Sequence, residues 1–550
     1  MNNVKDLQTI EETLKYLQFD NWEQSAPGLA RSRELLGLLG NPEQKLKFVH
    51  IAGTNGKGST AAMLASVLQR AGYRTGLYTS PHLLRFHERM RVNGEEIDDN
   101  SLISLTNAVR NAAESMSEMP TGFEIMTAIA FLYFVQEQCD IVSLEVGLGG
   151  RMDSTNVIPA PEVCVVANIG LEHTAILGDT VEKIAAEKCG IIKHGSHAVL
   201  FGQSEGVENV AREKCAQEDV ALTITAQEKL ERISSSLDGQ EFKYRGRGPY
   251  HLRLLGEYQL LNALTVIDVC NALRSRGWDK LTDEAIDEGL SHAQWPGRLE
   301  LLRRGPDFIV DGAHNPQCVD ALMDSLAALY GDKKLIFLTG VLRDKDWQQM
   351  LRRALPLAKA FVVITPPSAR ALDENELAAW LNAQGVQAVP AKDTDDGVRR
   401  ALALAGEDDA ICSWGSLYFT GEVRRVRRNS KHDKKGRCET PQRSFHNPHA
   451  AFAATSGKQA PTPQSAQNPS TYIRRIFCPH GQKTGTSVAD FRVRRREIIL
   501  IINRRDMRVA IYSSRFARVA AAYGGKARSE VRSPKIKGIP SIGWDPFDFS

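Results

Sequence analysis

The stretch Phe48–Thr60, FVHIAGTNGKGST, decides how the rest of the chain is read. An apolar run, FVHIA, enters a glycine-rich turn and then the helical pattern STAAMLASVLQRAG. Strand, glycine loop and helix in that order are the setting in which N–H groups at a helix N-terminus hold a phosphate. The loop departs twice from the common spacing G-x-x-x-x-G-K-[ST]. Ile51 stands where the first glycine belongs, and Gly58 follows Lys57, so the hydroxyls of Ser59 and Thr60 come one place late. Gly53, Gly56 and Gly58 allow close backbone approach, and Lys57 is able to reach outer phosphates as a point charge. Two readings stand: a nucleotide site of irregular form, and a tight turn beside a surface lysine.

Outward from this loop the chain keeps one rhythm. Between residues 46 and 312, IVSLEVGL and EVCVVANIG read as strands covered on both faces, and TVEKIAAEKCGIIK and YQLLNALTVIDVCNALRSRG as amphipathic helices. The alternation predicts a doubly wound α/β domain. After WPGRLELLRRG the runs DFIVDGAHNP, KLIFLTGV, AFVVIT and DAICSWGS read as strands of a smaller α/β domain, with Pro296–Gly297 as a hinge. The expected organisation is a P-loop ATP-binding domain over 1–296, a Rossmann-like domain over 297–428, and a largely disordered tail over 429–550.

Length and charge agree with that division. A chain of 550 residues is too long for one core. Its net charge of +3 conceals an asymmetry: from Arg424 to the end there are 27 Lys+Arg against 8 Asp+Glu, leaving residues 1–423 net acidic. Within the tail, ATSGKQAPTPQSAQNPS has the composition of disorder, and FRVRRREIILIINRRDMRVAIYSSRF reads as strands. The nine cysteines show no C-x-x-C spacing, which fits free thiols in a reducing compartment. The start, MNNVKDLQTIEE, lacks the apolar core of a signal peptide. The longest greasy run, IMTAIAFLYFV, is about half of the ~20 residues a membrane span requires. A soluble cytoplasmic protein is expected, with no membrane partner.

Three strand ends carry chemistry. Ser80 follows the run ending LYT, at the carboxyl end where ligands of open α/β sheets bind. Glu145 ends an apolar strand, and a buried carboxylate needs a cation or an arginine. Magnesium beside a phosphate loop meets that need, and a structural salt bridge meets it equally. Gly147, Gly149 and Gly150 leave room for a ligand, and Asp153 adds a second carboxylate. His173 ends the next strand and Lys188 lies on the helix after it. Singly, a helix cap, a structural histidine and a solvated lysine are the commoner readings; their shared position at successive strand ends sets them apart.

These residues fall in motifs of a known family. GTNGKGST, TSPHLLRFHERMRVNG, EVGLGGRMDSTN, ANIGLEHTAILGDTVEKIAAEKCGIIK, WPGRLE and DGAHNP occur in family order across nearly all of residues 1–423. The sequence resembles bacterial folylpolyglutamate synthase/dihydrofolate synthase, within the Mur ligase superfamily, whose phosphate loop has this same irregular form. The resemblance implies that Thr54, Asn55, Gly56, Lys57, Gly58, Ser59 and Thr60 hold the phosphates of ATP. Ser80 and Glu145 would bind one magnesium, and His173 would help to hold a second. Lys188 matches the lysine that the family carbamylates. Asn262, Arg298 and Asp311 would close over ATP, and His314 would lie near the acyl transfer. Phe123, in TGFEIMTA, would stack on the pterin, with Asp153 also on the substrate side. The implied reaction joins L-glutamate to dihydropteroate or to (tetrahydro)folate polyglutamates through an acyl phosphate, in a monomer.

Two other readings share parts of this pattern. A Mur-type ligase of cell-wall precursors would share the fold and chemistry but not the acceptor pocket; TSPHLLRFHERMRVNG resembles the folate branch. A non-catalytic ATP-binding module fits less well, because every catalytic-type position carries a competent residue. The basic tail matches nothing in the family, and its contact with nucleic acid is expected to be at most non-specific, if it has any selected role at all. Truncation after Asn429 is therefore expected to preserve ligation kinetics while removing 23 of the 27 basic residues. Polyanion retention that falls steeply with salt should disappear with them. A folded, soluble but inactive truncation would place part of the tail inside the catalytic unit.

Overall fold

The computed structural model describes residues 6–18 and 28–429, together with the strands at 486–493, 496–503 and 508–511. It comprises two units, Met1–Ser444 and Phe445–Ser550. The first strand of the main sheet, β1 (Phe48–Ala52), is buried throughout. Its side chains alternate between two cores, as a strand's period of two requires: Val49 and Ile51 enter one cluster, Phe48 another. Around it lie β2 (Thr75–Tyr78), β3 (Met90–Val92), β4 (Glu95–Glu96), β5 (Ile141–Glu145), β6 (Val163–Val166), β7 (His197–Leu200) and β8 (Ala221–Ile224), in the order β4-β3-β2-β5-β1-β6-β7-β8. All pairings are parallel except those of β3 with β2 and β4. The apolar runs expected to be covered strands are covered on both faces.

On one face the helix Lys57–Arg70 packs against Glu257–Arg274 and Asp283–His292. The last contact is backbone to backbone. A Cβ on Gly289 would stand 2.3 Å from Val67 Cα, and Ser66 Oγ donates to the Gly289 carbonyl at 2.7 Å. The helix that begins at the glycine loop is thus held against its neighbour along its length. The meander β9 (Leu230–Ser236), β10 (Gly239–Tyr244) and β11 (Arg247–Leu252) closes this core through Phe242, Tyr244 and Tyr250. The sequence reading passed over it because only alternate residues of β10 are fully buried, and the intervening polar positions hide a short strand.

Beyond Pro296 lies the second sheet: β12 (Glu300–Arg303), β13 (Asp307–Val310), β14 (Leu335–Thr339), β15 (Ala358–Val363), β16 (Ala388–Pro390) and β17 (Ala410–Trp414). Its order is β12-β13-β17-β14-β15-β16, parallel except for β12. The helix Leu417–Asn429 seals it, with Phe419 and Val423 in the core beside Phe308 and Val310. The arginines counted with the basic tail from Arg424 onward begin inside this helix. Arg424 pairs with Glu300 at 2.9 Å, and Arg427 is buried over the Phe308 ring. The helix needs those stems for packing, so two of the counted charges belong to the fold.

The second unit shows an antiparallel sheet of β18 (Thr486–Val493), β19 (Arg496–Asn503) and β20 (Arg508–Ile511). Of the run expected to form strands, it takes in residues 491–493, 496–503 and 508–511. The Pro/Gln/Ser-rich stretch lies outside the described residues. Among the described residues no helix is long and apolar enough to cross a membrane, and seven cysteines carry free thiols.

Candidate active site

Four adjacent strands, β2, β5, β1 and β6, deliver their carboxyl ends to one edge of the main sheet. β1 ends at Ala52 and the glycine loop follows. Gly56 adopts φ 84°, which an L side chain rarely takes, and caps the helix Lys57–Arg70. A Cβ there would also lie 2.7 Å from Asn262 Oδ1, so glycine answers both a backbone and a contact constraint. Lys57 Nζ turns back onto its own loop and donates to the carbonyls of Gly53 (3.0 Å) and Thr54 (3.1 Å).

Lys188 reaches the same place from the helix Val181–Cys189. It is buried, and its Nζ donates to the Gly53 carbonyl at 2.8 Å. Burial first, then the charge of Lys57, pulls its pKa down to about 7, against the weaker opposite pull of Glu172 and Asp153. Glu145, the last residue of β5, accepts from the Ser80 backbone N–H at 3.0 Å. Burial raises its pKa to about 7, opposed chiefly by Lys57. A buried carboxyl with one backbone donor is a group short of a cation. Ser80, the donor of that N–H, also carries a hydroxyl and lines the same cleft. No cluster of three His, Cys, Asp or Glu occurs among the described residues. That donor set suits magnesium, a hard cation that keeps waters and phosphate oxygens in its shell and takes few protein ligands.

The smaller domain forms the facing wall of a cleft of about 540 Å³. Arg298, Asp311 and His314 line it opposite Lys57, Ser80, Glu145 and His173. Asp311 is buried and holds three donors: the N–H groups of Leu299 (2.7 Å) and Ala313 (2.7 Å), and the Tyr258 hydroxyl (3.0 Å). His314 Nδ1 donates to the Gly312 carbonyl at 2.8 Å, which leaves Nε2 with a lone pair, 3.8 Å from Glu172 Oε1. Burial lowers its pKa, so Nε2 is able to take up a proton that Glu172 then stabilises. Asn55 ties the walls together. It donates to Gln317 Oε1 (2.6 Å), and its Oδ1 accepts from Asn315 Nδ2 (3.3 Å).

Most residues singled out in the sequence meet in this cleft: Thr54 through Ser59, Ser80, Glu145, His173, Asn262, Arg298, Asp311 and His314. His173 caps a short helix with φ 51°. Four stand back from the lining. Thr60 is fully buried in the helix, and Lys188 lies behind the loop. Asp153 accepts from Leu148 N–H (2.9 Å) and Thr155 N–H (3.0 Å), which makes it an organiser of the loop after β5. Phe123 packs on Gly147 and Tyr78 at the cleft's edge. Tyr258, Glu172 and Gln317 were missed. Glu172 and Tyr258 lie within quoted stretches and Gln317 follows DGAHNP, but their roles come from contacts across the hinge that no local pattern records.

The Mur ligase middle domain family matches residues 51–270, and the Mur ligase glutamate ligase domain family matches residues 297–417. With the nucleotide-loop edge facing a second α/β domain across a hinge, these matches define a Mur-type ligase. More narrowly, the chain belongs to the folylpolyglutamate synthase/dihydrofolate synthase family of ATP-dependent glutamate ligases. It is 35% identical over 418 residues to dihydrofolate synthase/folylpolyglutamate synthase of Bacillus subtilis, covering 72% of this chain and 94% of the relative. Among solved structures it is similar to Escherichia coli FolC in complex with DHPP and ADP (28% identity, TM-score 0.69, 77% of this chain, 99% of that one). The Yersinia pestis bifunctional enzyme with AMPPNP and a Mn ion is similar at 28% identity and TM-score 0.67, with 77% and 99% covered.

Lys57→Ala should leave the protein folded, with the unfolding transition lowered by about 1–3 kcal/mol, because its side chain makes two hydrogen bonds to carbonyls of its own loop. It should lower nucleotide affinity at least about tenfold, the scale of a lost charge-assisted contact. Calorimetric titration with a non-hydrolysable ATP analogue checks this; unchanged affinity would remove Lys57 from the phosphate site.

Proposed function

We propose that this chain joins L-glutamate to the carboxylate of dihydropteroate, and to that of reduced folates already carrying glutamate, at the expense of ATP. The observation that carries the reading is the single cleft in which a lysine-bearing nucleotide loop, the Ser80–Glu145 pair and the Arg298–Asp311–His314 wall face one another. A carboxylate is a poor electrophile because it would have to expel oxide. Transfer of the γ-phosphoryl group of ATP to the carboxylate oxygen gives an acyl phosphate and ADP. The α-amine of glutamate then attacks the carbonyl carbon, loses a proton and expels phosphate.

The chain's residues contribute position and charge to these steps. Lys57 and the loop N–H groups hold the phosphates, and Lys57 can exchange its two carbonyl partners for phosphate oxygens without moving the backbone. Arg298 faces the nucleotide from the other wall, and Asn262 meets it from beside Gly56 on the loop's own side. His314 Nε2 would take the amine proton, a role its free lone pair beside Glu172 supports. Closure across Asn55–Gln317 and His314–Glu172 excludes the water that would hydrolyse the acyl phosphate. Magnesium, when bound, neutralises phosphate charge, and Ser80 and Glu145 are the residues that would hold it; His173 is the candidate at a second ion.

Phe123 would face the pterin beside Gly147. Mass spectrometry of products from dihydropteroate, and separately from tetrahydrofolate, with glutamate and Mg–ATP tests the reading. One added glutamyl residue per phosphate released is expected. Turnover with a UDP-muramoyl acceptor instead would place the chain with cell-wall ligases.

Lys188 is proposed to react with carbon dioxide: its unprotonated nitrogen bonds the carbon, the ammonium-type intermediate loses a proton, and a carbamate anion results. Its lowered pKa supports this, because only the neutral amine adds CO₂. The product would be an anion beside Lys57. Lys188→Ala should abolish ligation, and Lys188→Glu should restore part of it. A free amine at Lys188 in crystals of the active, metal-loaded enzyme would overturn the carbamate.

A further inference from the structure

The loop between β2 and β3 holds a histidine in one tautomer. Arg89 Nε donates to His82 Nδ1 at 2.8 Å. A guanidinium only donates, so Nδ1 presents a lone pair and the imidazole proton resides on Nε2. His82 lines the catalytic cleft, and among the described residues Nε2 has no hydrogen-bond partner. The ring therefore offers the cleft a neutral N–H donor.

Its position is rigid. Thr79 N–H bonds the Arg89 carbonyl at 3.0 Å and closes the loop at its base. The Glu88 carboxylate accepts from the N–H groups of Leu83 (2.8 Å), Leu84 (3.0 Å) and Arg85 (3.0 Å). Phe86 packs against the His82 ring and under the Arg89 guanidinium. The smaller domain seats on the same loop: a Cβ on Gly421 would lie 2.3 Å from the Leu83 carbonyl oxygen.

Topology indicates which substrate the donor meets. The nucleotide loop follows β1, with β6 and His173 on one side and β5 and β2 on the other. Phe123, the aromatic proposed for the pterin, packs against Tyr78, the last residue of β2, on the side of His82. We infer that His82 donates its Nε2–H to an anionic oxygen of the acceptor carboxylate, holding that group against the phosphoryl donor. This rests on the glutamate-ligase reading above. The donor works uncharged, so it orients the carboxylate without neutralising the nucleophile.

The test uses the full chain with dihydropteroate, glutamate and Mg–ATP. His82→Ala should raise the KM for dihydropteroate about ten- to a hundredfold, the range for a hydrogen bond to a charged group, and leave the KM for ATP within about twofold of the parent. Phosphate released per amide formed should rise above one, because a misaligned acyl phosphate leaks to water. His82→Gln, whose amide N–H reaches to about the Nε2 position, should recover most of the acceptor affinity and the coupling. Equal changes in both KM values, an unchanged dihydropteroate KM, or no recovery with glutamine would overturn the assignment. No ligation by the parent chain would overturn the enzyme reading itself, and this inference with it.

Discussion

One carbonyl oxygen, that of Gly53, accepts from two lysines on different helices: Lys57 at 3.0 Å and Lys188 at 2.8 Å. Two ammonium groups cannot share so small a partner without repulsion, and Lys188, the more buried, is the one driven towards the neutral form. The pairing fixes the height of the glycine loop above the sheet, because the oxygen is anchored from the helix N-terminus and from behind. A Cβ on Gly53 would stand 2.8 Å from Ala167 Cβ, so the loop is also pressed against the chain leaving β6. The loop is therefore shaped before any phosphate arrives, which keeps its ordering entropy out of the binding step.

That constraint explains why the loop departs from the common phosphate-loop spacing. Gly58 takes the place of the usual hydroxyl residue, and a Cβ there would meet Trp295 at 2.6 Å. The chain leading to the hinge packs on the loop at a position where only glycine fits. Ser59 is buried and accepts from Gln259 at 3.1 Å. The hydroxyl displaced along the helix ties the loop to Glu257–Arg274, and Ser80, just beyond β2, lines the open side. The sequence irregularity is the local trace of packing inside the larger domain, against Trp295 and the helix Glu257–Arg274.

Legibility followed range. β1, β5 and β6 were readable because strands buried on both faces are continuously apolar, and so was the convergence of Ser80, Glu145 and His173, which needs only the rule that α/β ligands bind at carboxyl ends. The edge pair β3–β4 and the meander β9–β11 were not, because half of each faces solvent. Asp153 read in the sequence as a second carboxylate on the substrate side; the fold shows its oxygens held by the N–H groups of Leu148 and Thr155. Arg424 and Arg427 read as tail charge because a buried guanidinium stem and an exposed one are written identically.

Glu145 shows what the cleft holds in reserve. Its displacement from an ordinary carboxyl pKa to about 7 corresponds to about 3 kcal/mol against the anion. The residue is nonetheless fixed where Ser80 N–H and the glycine loop meet, and the charges opposing its burial belong chiefly to Lys57, with Arg298 from the other domain contributing less. A divalent cation entering with nucleotide would relieve the carboxylate's burial while its phosphates took over Lys57. Each partner removes the penalty of the other, so metal and nucleotide should bind with positive coupling. The same logic extends to the hinge. Arg298 reaches the cleft only because the smaller domain faces the larger, so a polyanion and its metal would favour that closed arrangement, the one that shelters the acyl phosphate from water.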